Sequence, residues 1–140
     1  MVISDIDAIR AYLATYQSLE AGRPVWVDML TPDPSVYSVF SAPGRYKTEF
    51  ITGDAIVHLP FFFGATETLN EYSTIATLEF YQELSAWLSE QTKAGNLPVL
   101  EAGKTALTIE ALDVATMVER TENTAVYQLP CQLDYLIKKA

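Results

Sequence analysis

Two stretches of the chain have apolar residues at helical spacing. The first follows Ser4 and Asp7, which resemble a capping pair, and it ends at Gly22, a typical residue after a helix. The second predicts a helix over 66–95, and β-branched residues at 73–77 favour a kink or a split. The apolar positions of the two helices are Ile6, Ile9, Leu13, Tyr16 and Leu19, then Leu69, Tyr72, Ala76, Phe80, Leu84, Trp87 and Leu88.

Apolar runs and alternating stretches predict the main strands. Residues 55–65 are apolar on both faces, which indicates a central strand covered on both sides, with a bulge or an edge position at Pro60. Residues 105–119 alternate with a change of parity at Ala111, which predicts a bulge. After a turn, 124–137 alternates without interruption. Its predicted inward side chains are Ala125, Tyr127, Leu129, Cys131, Leu133 and Tyr135.

A long segment precedes the central strand. It follows a strand-like run at 25–30 and contains three prolines within 31–50, so it cannot be one continuous strand. We predict short strands at 37–40 and 45–52, then a turn at Gly53 and Asp54. Its aromatic and apolar content favours an interaction arm over 31–54, with an ordinary core hairpin as the alternative. The expected contact residues are Tyr37, Val39, Phe40, Arg45, Tyr46, Lys47 and Phe50.

These elements follow one another in the order α-β-β-β-β-α-β-β. The order predicts a single α+β domain over 1–140, with a mostly antiparallel sheet and two main helices packed on one face. The length fits one domain, and the 49% hydrophobic content is typical of a folded protein.

The charge balance bears on the class of partner. The net charge is −9, from 18 acids and 9 bases, which disfavours gripping nucleic acid or docking on an anionic membrane. An acidic wall does suit a channel along which DNA slides. The apolar stretches are too short to span a bilayer. The acidic, amphipathic start does not have the pattern of a secretory signal peptide.

Few residues suggest chemistry. His58 is the single histidine and lies in an apolar run, which indicates a structural or surface role. Cys131 lies on a predicted inward face and is interpreted as a small core residue. The acids are scattered, so we expect no metal site, no cofactor and no catalytic residues. The aromatic residues Phe61, Phe62, Phe63, Phe80, Tyr81 and Trp87 are interpreted as core rather than as a ligand cage.

Two blocks resemble a known family. Residues 80–112 contain FY, W, Q, AGNLP, L, GK, A and IE at characteristic positions, and residues 124–135 contain TA, YQ, C, L and Y. These blocks are similar to those of small prophage-encoded proteins of Firmicutes, which often carry the misleading label of chloramphenicol resistance proteins. Tyr37 and Ser38 also fit, whereas 40–53 departs most from the pattern. The matching residues are Phe80, Tyr81, Trp87, Gln91, Ala94 to Pro98, Leu100, Gly103, Lys104, Ala106, Ile109, Glu110, Leu112, Thr124, Ala125, Tyr127, Gln128, Cys131, Leu133 and Tyr135.

The resemblance implies a structural role without enzyme activity. The element order is similar to that of phage tail terminators such as the lambda minor tail protein U. By that likeness the chain forms a homo-hexameric ring that caps the tail tube and joins it to the head. Its expected partners are further copies, the tail tube protein and head–tail connector proteins, with DNA passing through the lumen unbound. It is then made in the bacterial cytoplasm and located in the virion.

Two alternatives stay open at this point. One is another position in the same particle, as a head completion, tail completion or minor capsid protein. The other is a small-molecule enzyme or binder that uses His58 at the mouth of an aromatic pocket.

Overall fold

Two helices and seven strands follow one another along residues 4–139, the part of the chain that the computed structural model describes. The α+β class and the predicted order are confirmed, and the predicted strand over 105–119 is divided into two. The elements are α1 (Asp5–Leu13), β1 (Val25–Val27), β2 (Tyr37–Ser41), β3 (Tyr46–Glu49), β4 (Ala55–Thr68), α2 (Glu71–Ala94), β5 (Lys104–Ala111), β6 (Thr116–Arg120) and β7 (Thr124–Ile137).

The sheet is organised around the antiparallel pair of β4 and β7, which we call the spine. Each strand has 14 residues, and they pair along their full length, from Ala55 opposite Ile137 to Thr68 opposite Thr124. At about 3.3 Å per residue, the spine is roughly 45 Å long. β2 and β3 lie end to end beside β4, while β5 and β6 lie end to end beside β7. The short β1 pairs with β2 in parallel, and the other pairs are antiparallel.

The core lies on one face of the spine, under both helices. The predicted inward residues of β7 are all buried, which confirms that its alternation marks a core face and a second face. On β4 the same core face presents Val57, Phe61, Phe63 and Ala65, each at most 1% exposed. The opposite face, which we call the open face, carries the half-buried residues His58 and Phe62. Farther along this face Thr66 is only 3% exposed, and its hydroxyl donates to the Thr31 carbonyl. The expectation that this strand is covered on both sides is therefore correct near Thr66 and wrong at His58 and Phe62.

The helix caps match the prediction better than the helix lengths do. The Ser4 side chain accepts a bond from the Asp7 amide, and Gly95 ends α2 with a left-handed φ of 77°. However, α1 ends at Leu13 rather than Gly22. It is followed by single turns, which are closed by hydrogen bonds such as that from the Tyr16 N–H to the Leu13 carbonyl. α2 begins after Asn70 rather than at Thr66, and it is one continuous helix across 73–77.

Three predicted strand features are also revised. Pro60 does not lie on an edge of the spine. It lies between the β4 segment that pairs with β2 and the β4 segment that pairs with β3, where the hydrogen-bonded ladder on the β2 and β3 side of β4 is interrupted. The parity change at Ala111 is the end of β5, and the register shift of that strand falls between Ala106 and Thr108. The strand predicted at 45–52 is shorter, at Tyr46–Glu49, because the chain turns at 51–53.

The two spine strands approach each other closely at Gly64, and we predict the effect of adding a side chain there on stability. A Cβ atom there would overlap the backbone carbonyl oxygen of Tyr127. We expect Gly64→Ala to lower the free energy of unfolding by about 2 to 3 kcal/mol, because backbone cannot move aside as a flexible side chain can.

The control is Gly103→Ala, where a Cβ meets nothing within 4 Å and only the φ of 89° is unfavourable. We expect it to cost about 1 kcal/mol. Urea unfolding followed by circular dichroism measures both variants, and equal losses would show that the overlap at Gly64 is relieved without cost.

Candidate functional site

The edge strand β3 projects from the core and presents its side chains to solvent. All four of its residues are exposed, and within residues 4–139 it pairs only with β4. The Tyr46 ring stacks on the His58 imidazole, with the ring centroids 4.2 Å apart and the planes 15° from parallel. Because burial of apolar surface contributes little here, polar contacts and stacking must hold β3 against the sheet.

His58 forms the polar connection that holds β3. Its Nδ1 lies 2.9 Å from Asp134 Oδ1, and its Nε2 lies 3.0 Å from Thr48 Oγ1. A carboxylate only accepts, so Nδ1 carries the hydrogen, and Nε2 of the neutral ring accepts from the Thr48 hydroxyl. Asp134 also accepts from the side chains of Gln132 at 2.9 Å and Thr108 at 3.3 Å. The imidazole thus joins β3 to β7 across β4.

The same three groups have the order of an acyl-transfer triad: hydroxyl, imidazole and carboxylate. The triad chemistry also needs a bound carbonyl group beside the hydroxyl. His58 lines none of the four main clefts of the described residues, and the Tyr46 ring covers one face of its imidazole. The contacts that His58 makes, to Thr48 on β3 and to Asp134 on β7, position β3.

A second polar cluster holds the start of β3 to α1. The Tyr135 hydroxyl donates to Asp5 Oδ2 at 2.8 Å and accepts from Arg45 Nη2 at 2.6 Å. Lys104 Nζ lies 3.0 Å from both Asp5 Oδ1 and Glu101 Oε1. Burial alone lowers the pKa of Lys104, but these two acids outweigh burial and raise it above its ordinary value. The cluster therefore joins the start of β3, α1, β5 and β7.

The turn between β3 and β4 is apolar, and three lysines and two acids lie near it. We call residues 50–53 the β3–β4 tip; its Ile51 is fully exposed and its Phe50 is 45% exposed. Backbone bonds from Phe50 N–H to the Asp54 carbonyl and from Gly53 N–H to the Phe50 carbonyl fix the turn. The Asp54 carboxylate accepts from the Lys139 amide at 2.8 Å, which brings the end of β7 beside the tip. The charged residues near the tip are the exposed lysines Lys47, Lys138 and Lys139, the exposed Glu49 and the half-buried Asp54.

An apolar cleft lies on the other side of the spine, between α2 and the connection from β5 to β6. We call it the α2 cleft, and its volume is about 670 Å³. Its exposed apolar residues are Leu78 at 46%, Leu112 at 57% and Val114 at 70%. Asp113 also lines it. Its lining residues are Leu78, Tyr81, Gln82, Ser85, Ala111, Leu112, Asp113, Val114, Ala115 and Leu129.

A buried ion pair stands at the far end of the spine from the tip. Arg23 Nη2 lies 2.5 Å from Glu67 Oε1 and donates to the Thr66 carbonyl at 2.9 Å. The guanidinium also lies over the Tyr37 ring, 4.1 Å from its centroid. Burial alone lowers the pKa of Arg23, but the hydrogen bond and charge of Glu67 outweigh burial and raise it. The pair fixes the segment before β1 to β4.

The structure divides the predicted contact residues into two groups. Tyr37 and Val39 are 5% and 0% exposed, so their prediction as contact residues is wrong: β2 lies within the sheet and its core-facing side chains are covered by the helices. Phe40 is half-buried on the open face. The other predicted residues, Arg45, Tyr46, Lys47 and Phe50, are exposed and lie together in and around β3. The contact role of these exposed residues stays a prediction.

Sequence reasoning missed several strongly exposed apolar residues. Ile51 lies in the segment that was predicted as a strand, and the cleft residues Leu112 and Val114 lie where one long strand was predicted. The parity change at Ala111 was the available signal, because it marks the point at which the chain leaves β5. The cleft itself forms only where α2 crosses this connection.

The remaining candidates for chemistry are placed as follows. Cys131 is 1% exposed, and burial raises the pKa of its thiol. Within residues 4–139 no group of three or more His, Cys, Asp or Glu side chains is placed to hold a metal ion. Phe61, Phe63 and Tyr81 are core residues as predicted, whereas Phe62 faces the open side of the sheet.

Comparisons with known proteins add no assignment. A scan of the chain against models of protein families gives no match, and neither does a search of curated protein sequences. Among the described helices, none combines the length and the apolar character needed to cross a membrane.

The His58 network generates a prediction about β3. We expect His58→Ala to lower the free energy of unfolding by about 1 to 2 kcal/mol, because two hydrogen bonds and a stacked ring are lost. The loss should be local, with faster amide hydrogen exchange in Tyr46–Glu49 than in β5.

The control for this variant is Gln128→Ala, which changes a half-buried polar residue on the same open face but opposite Gly64, away from β3. It should leave exchange in β3 unchanged. Unaltered exchange in β3 of the His58 variant would show that strand pairing alone holds this edge.

The buried ion pair generates a second prediction. We expect Arg23→Met to lower the free energy of unfolding by about 3 kcal/mol, because Glu67 would keep a charge at a site that is largely buried. The matched control is Arg10→Met, which breaks the exposed pair with Asp7 and should cost less than about 1 kcal/mol. Urea unfolding of both variants gives the comparison. If Arg23→Met lowers the free energy of unfolding no more than Arg10→Met does, the unpaired charge of Glu67 is not the costly term proposed here.

Proposed function

We propose that this chain is a ring-forming structural protein of a phage or prophage particle, and specifically a tail terminator. In that role it caps the tail tube and offers the surface that joins the tail to the head. The proposal is supported by the family resemblance of residues 80–135 and by the α+β architecture in the order that the resemblance implies.

The observation that carries the proposal is the presence of two unlike exposed apolar surfaces on opposite sides of the spine. The β3–β4 tip lies on the side of β3, and the α2 cleft lies on the side of β5 and β6. A subunit of a cyclic ring needs such a pair, because each copy contacts its two neighbours through different patches. An isologous dimer needs one self-complementary patch instead.

The free edges of the sheet agree with this role. β6 is exposed at all five of its residues, among them Met117 and Val118, and β3 is exposed at all four. Soluble proteins generally protect such edges, because unpaired backbone groups invite pairing with other chains. A ring that places neighbours along both sides of each subunit would cover both edges.

The charge is compatible with passage of DNA. With a net charge of −9, a ring of several copies presents a strongly acidic surface, which repels the phosphate backbone and avoids a tight grip. The alternative positions in the particle, namely head completion, tail completion and minor capsid protein, use the same kind of surface. Binding to the end of the tail tube distinguishes the terminator from them.

The test is the mass of the assembled protein, alone and with the tail tube protein of the same prophage. We expect a hexamer of about 94 kDa, six times the 15.6 kDa chain, by native mass spectrometry. By negative-stain microscopy the hexamer should sit at tube ends. Some terminators are expected to close only on the tube, so the two conditions are compared.

The outcomes separate the candidate positions. Rings that form but bind a connector protein rather than tube ends would move the chain to head or tail completion. A chain that stays monomeric at high concentration and does not bind the tube would exclude the terminator role.

A further inference from the structure

We propose that the β3–β4 tip of one copy binds in the α2 cleft of the next copy. This contact rests on the proposed ring and specifies how its subunits join. The tip presents Phe50 and Ile51, and the cleft presents Leu78, Leu112 and Val114. These are apolar groups that water covers in the isolated chain, so that their mutual burial favours association.

The tip cannot fill the cleft of its own chain. It follows β3 beside β4, whereas the cleft lies beyond β7, next to the connection from β5 to β6. The fully paired spine separates the two, and the backbone bonds of the turn hold the tip in place. A second copy is therefore the occupant that brings a tip to the cleft, and the resulting contact is heterologous.

Charge complementarity supports a second copy as the occupant. Three exposed lysines, Lys47, Lys138 and Lys139, lie near the tip against two acids, Glu49 and Asp54, although the chain as a whole has twice as many acids as bases. In residues 71–122, which include α2 and every lining residue of the cleft except Leu129, acids outnumber Lys and Arg by nine to three. Asp113 lines the cleft itself. Lysines outnumber acids by three to two near the tip, whereas acids outnumber bases around the cleft, and this difference in charge favours contact of a tip with a cleft over contact of two clefts.

The first part of the test disables each patch separately. Ile51→Glu alters the tip, Val114→Glu alters the cleft, and both positions are exposed, so that the fold should be retained. We expect either variant to raise the concentration for half-assembly by about tenfold or more, on the tube or in solution. Ile51→Ala should have a smaller effect, because it adds no charge. Val99→Glu, at a site 82% exposed and outside both patches, should assemble like the wild type.

The second part mixes the two disabled variants. A Val114→Glu chain keeps an intact tip, and an Ile51→Glu chain keeps an intact cleft. Their equimolar mixture should therefore form one-to-one dimers and stop there, because the remaining tip and cleft are both disabled. Analytical ultracentrifugation of the mixture and of each variant alone measures this directly.

A cross-link provides an independent readout. Ile51→Cys and Val114→Cys in one chain should give an oxidised ladder that ends at the closed ring, and either change alone should not. The natural Cys131 is 1% exposed and so should not compete.

The possible failures are distinguishable. Rings of the wild type that persist in both glutamate variants would overturn the tip-and-cleft contact and leave the proposed ring intact. A second outcome is that the Val114→Glu variant alone still forms rings but no longer binds tube ends. That result would make the cleft a site for the tube protein and would also overturn the tip-and-cleft contact. A wild type that forms no ring on the tube would overturn the proposed function itself.

Discussion

The structure depends on the full-length antiparallel pairing of β4 with β7. Side chains alternate between the two faces, so a shift of one residue would expose Phe61 and Phe63 and bury His58. That penalty fixes the register. Every other strand then takes its position from the pair, because β2, β3, β5 and β6 attach to it directly and β1 attaches through β2. The pair also sets how far apart the tip and the cleft lie.

The edge strand β3 is held by a different kind of interaction. Its side chains are all exposed, so the apolar core that secures β2 is not available to it. It depends instead on the imidazole of His58 between Thr48 and Asp134, and on Arg45 at the Tyr135 hydroxyl. Polar contacts are directional, and they therefore fix an exposed strand without covering its apolar groups. Those groups stay free to bind a partner.

The parts of the fold that were predictable from sequence are those that local pattern determines. The uninterrupted alternation of 124–137 identified the core face of β7, and Ser4 and Gly95 identified two helix ends. The end of α1 was missed because Tyr16 is indeed buried, and periodic burial does not distinguish a helix from successive turns. Residues 66–68 extend β4 because they pair with the start of β7, which is remote in sequence.

The candidate site was predictable only in part, for the same reason. Arg45, Tyr46, Lys47 and Phe50 were correctly placed in an exposed segment, but an apolar residue carries no local mark of whether a helix covers it. Val39 is therefore buried where contact was predicted. The α2 cleft combines one helix with a distant connection, so its residues share no sequence pattern.

The distribution of charge resolves a difficulty in the proposed assembly. Copies that each carry −9 repel one another, and bringing six together intensifies the repulsion. The repulsion is smaller where the facing surfaces differ in charge, and near the apolar tip the three lysines Lys47, Lys138 and Lys139 outnumber the two acids Glu49 and Asp54. In the proposed contact the tip with its lysines meets a more acidic surface, so specificity would arise from reduced repulsion as well as from apolar contact.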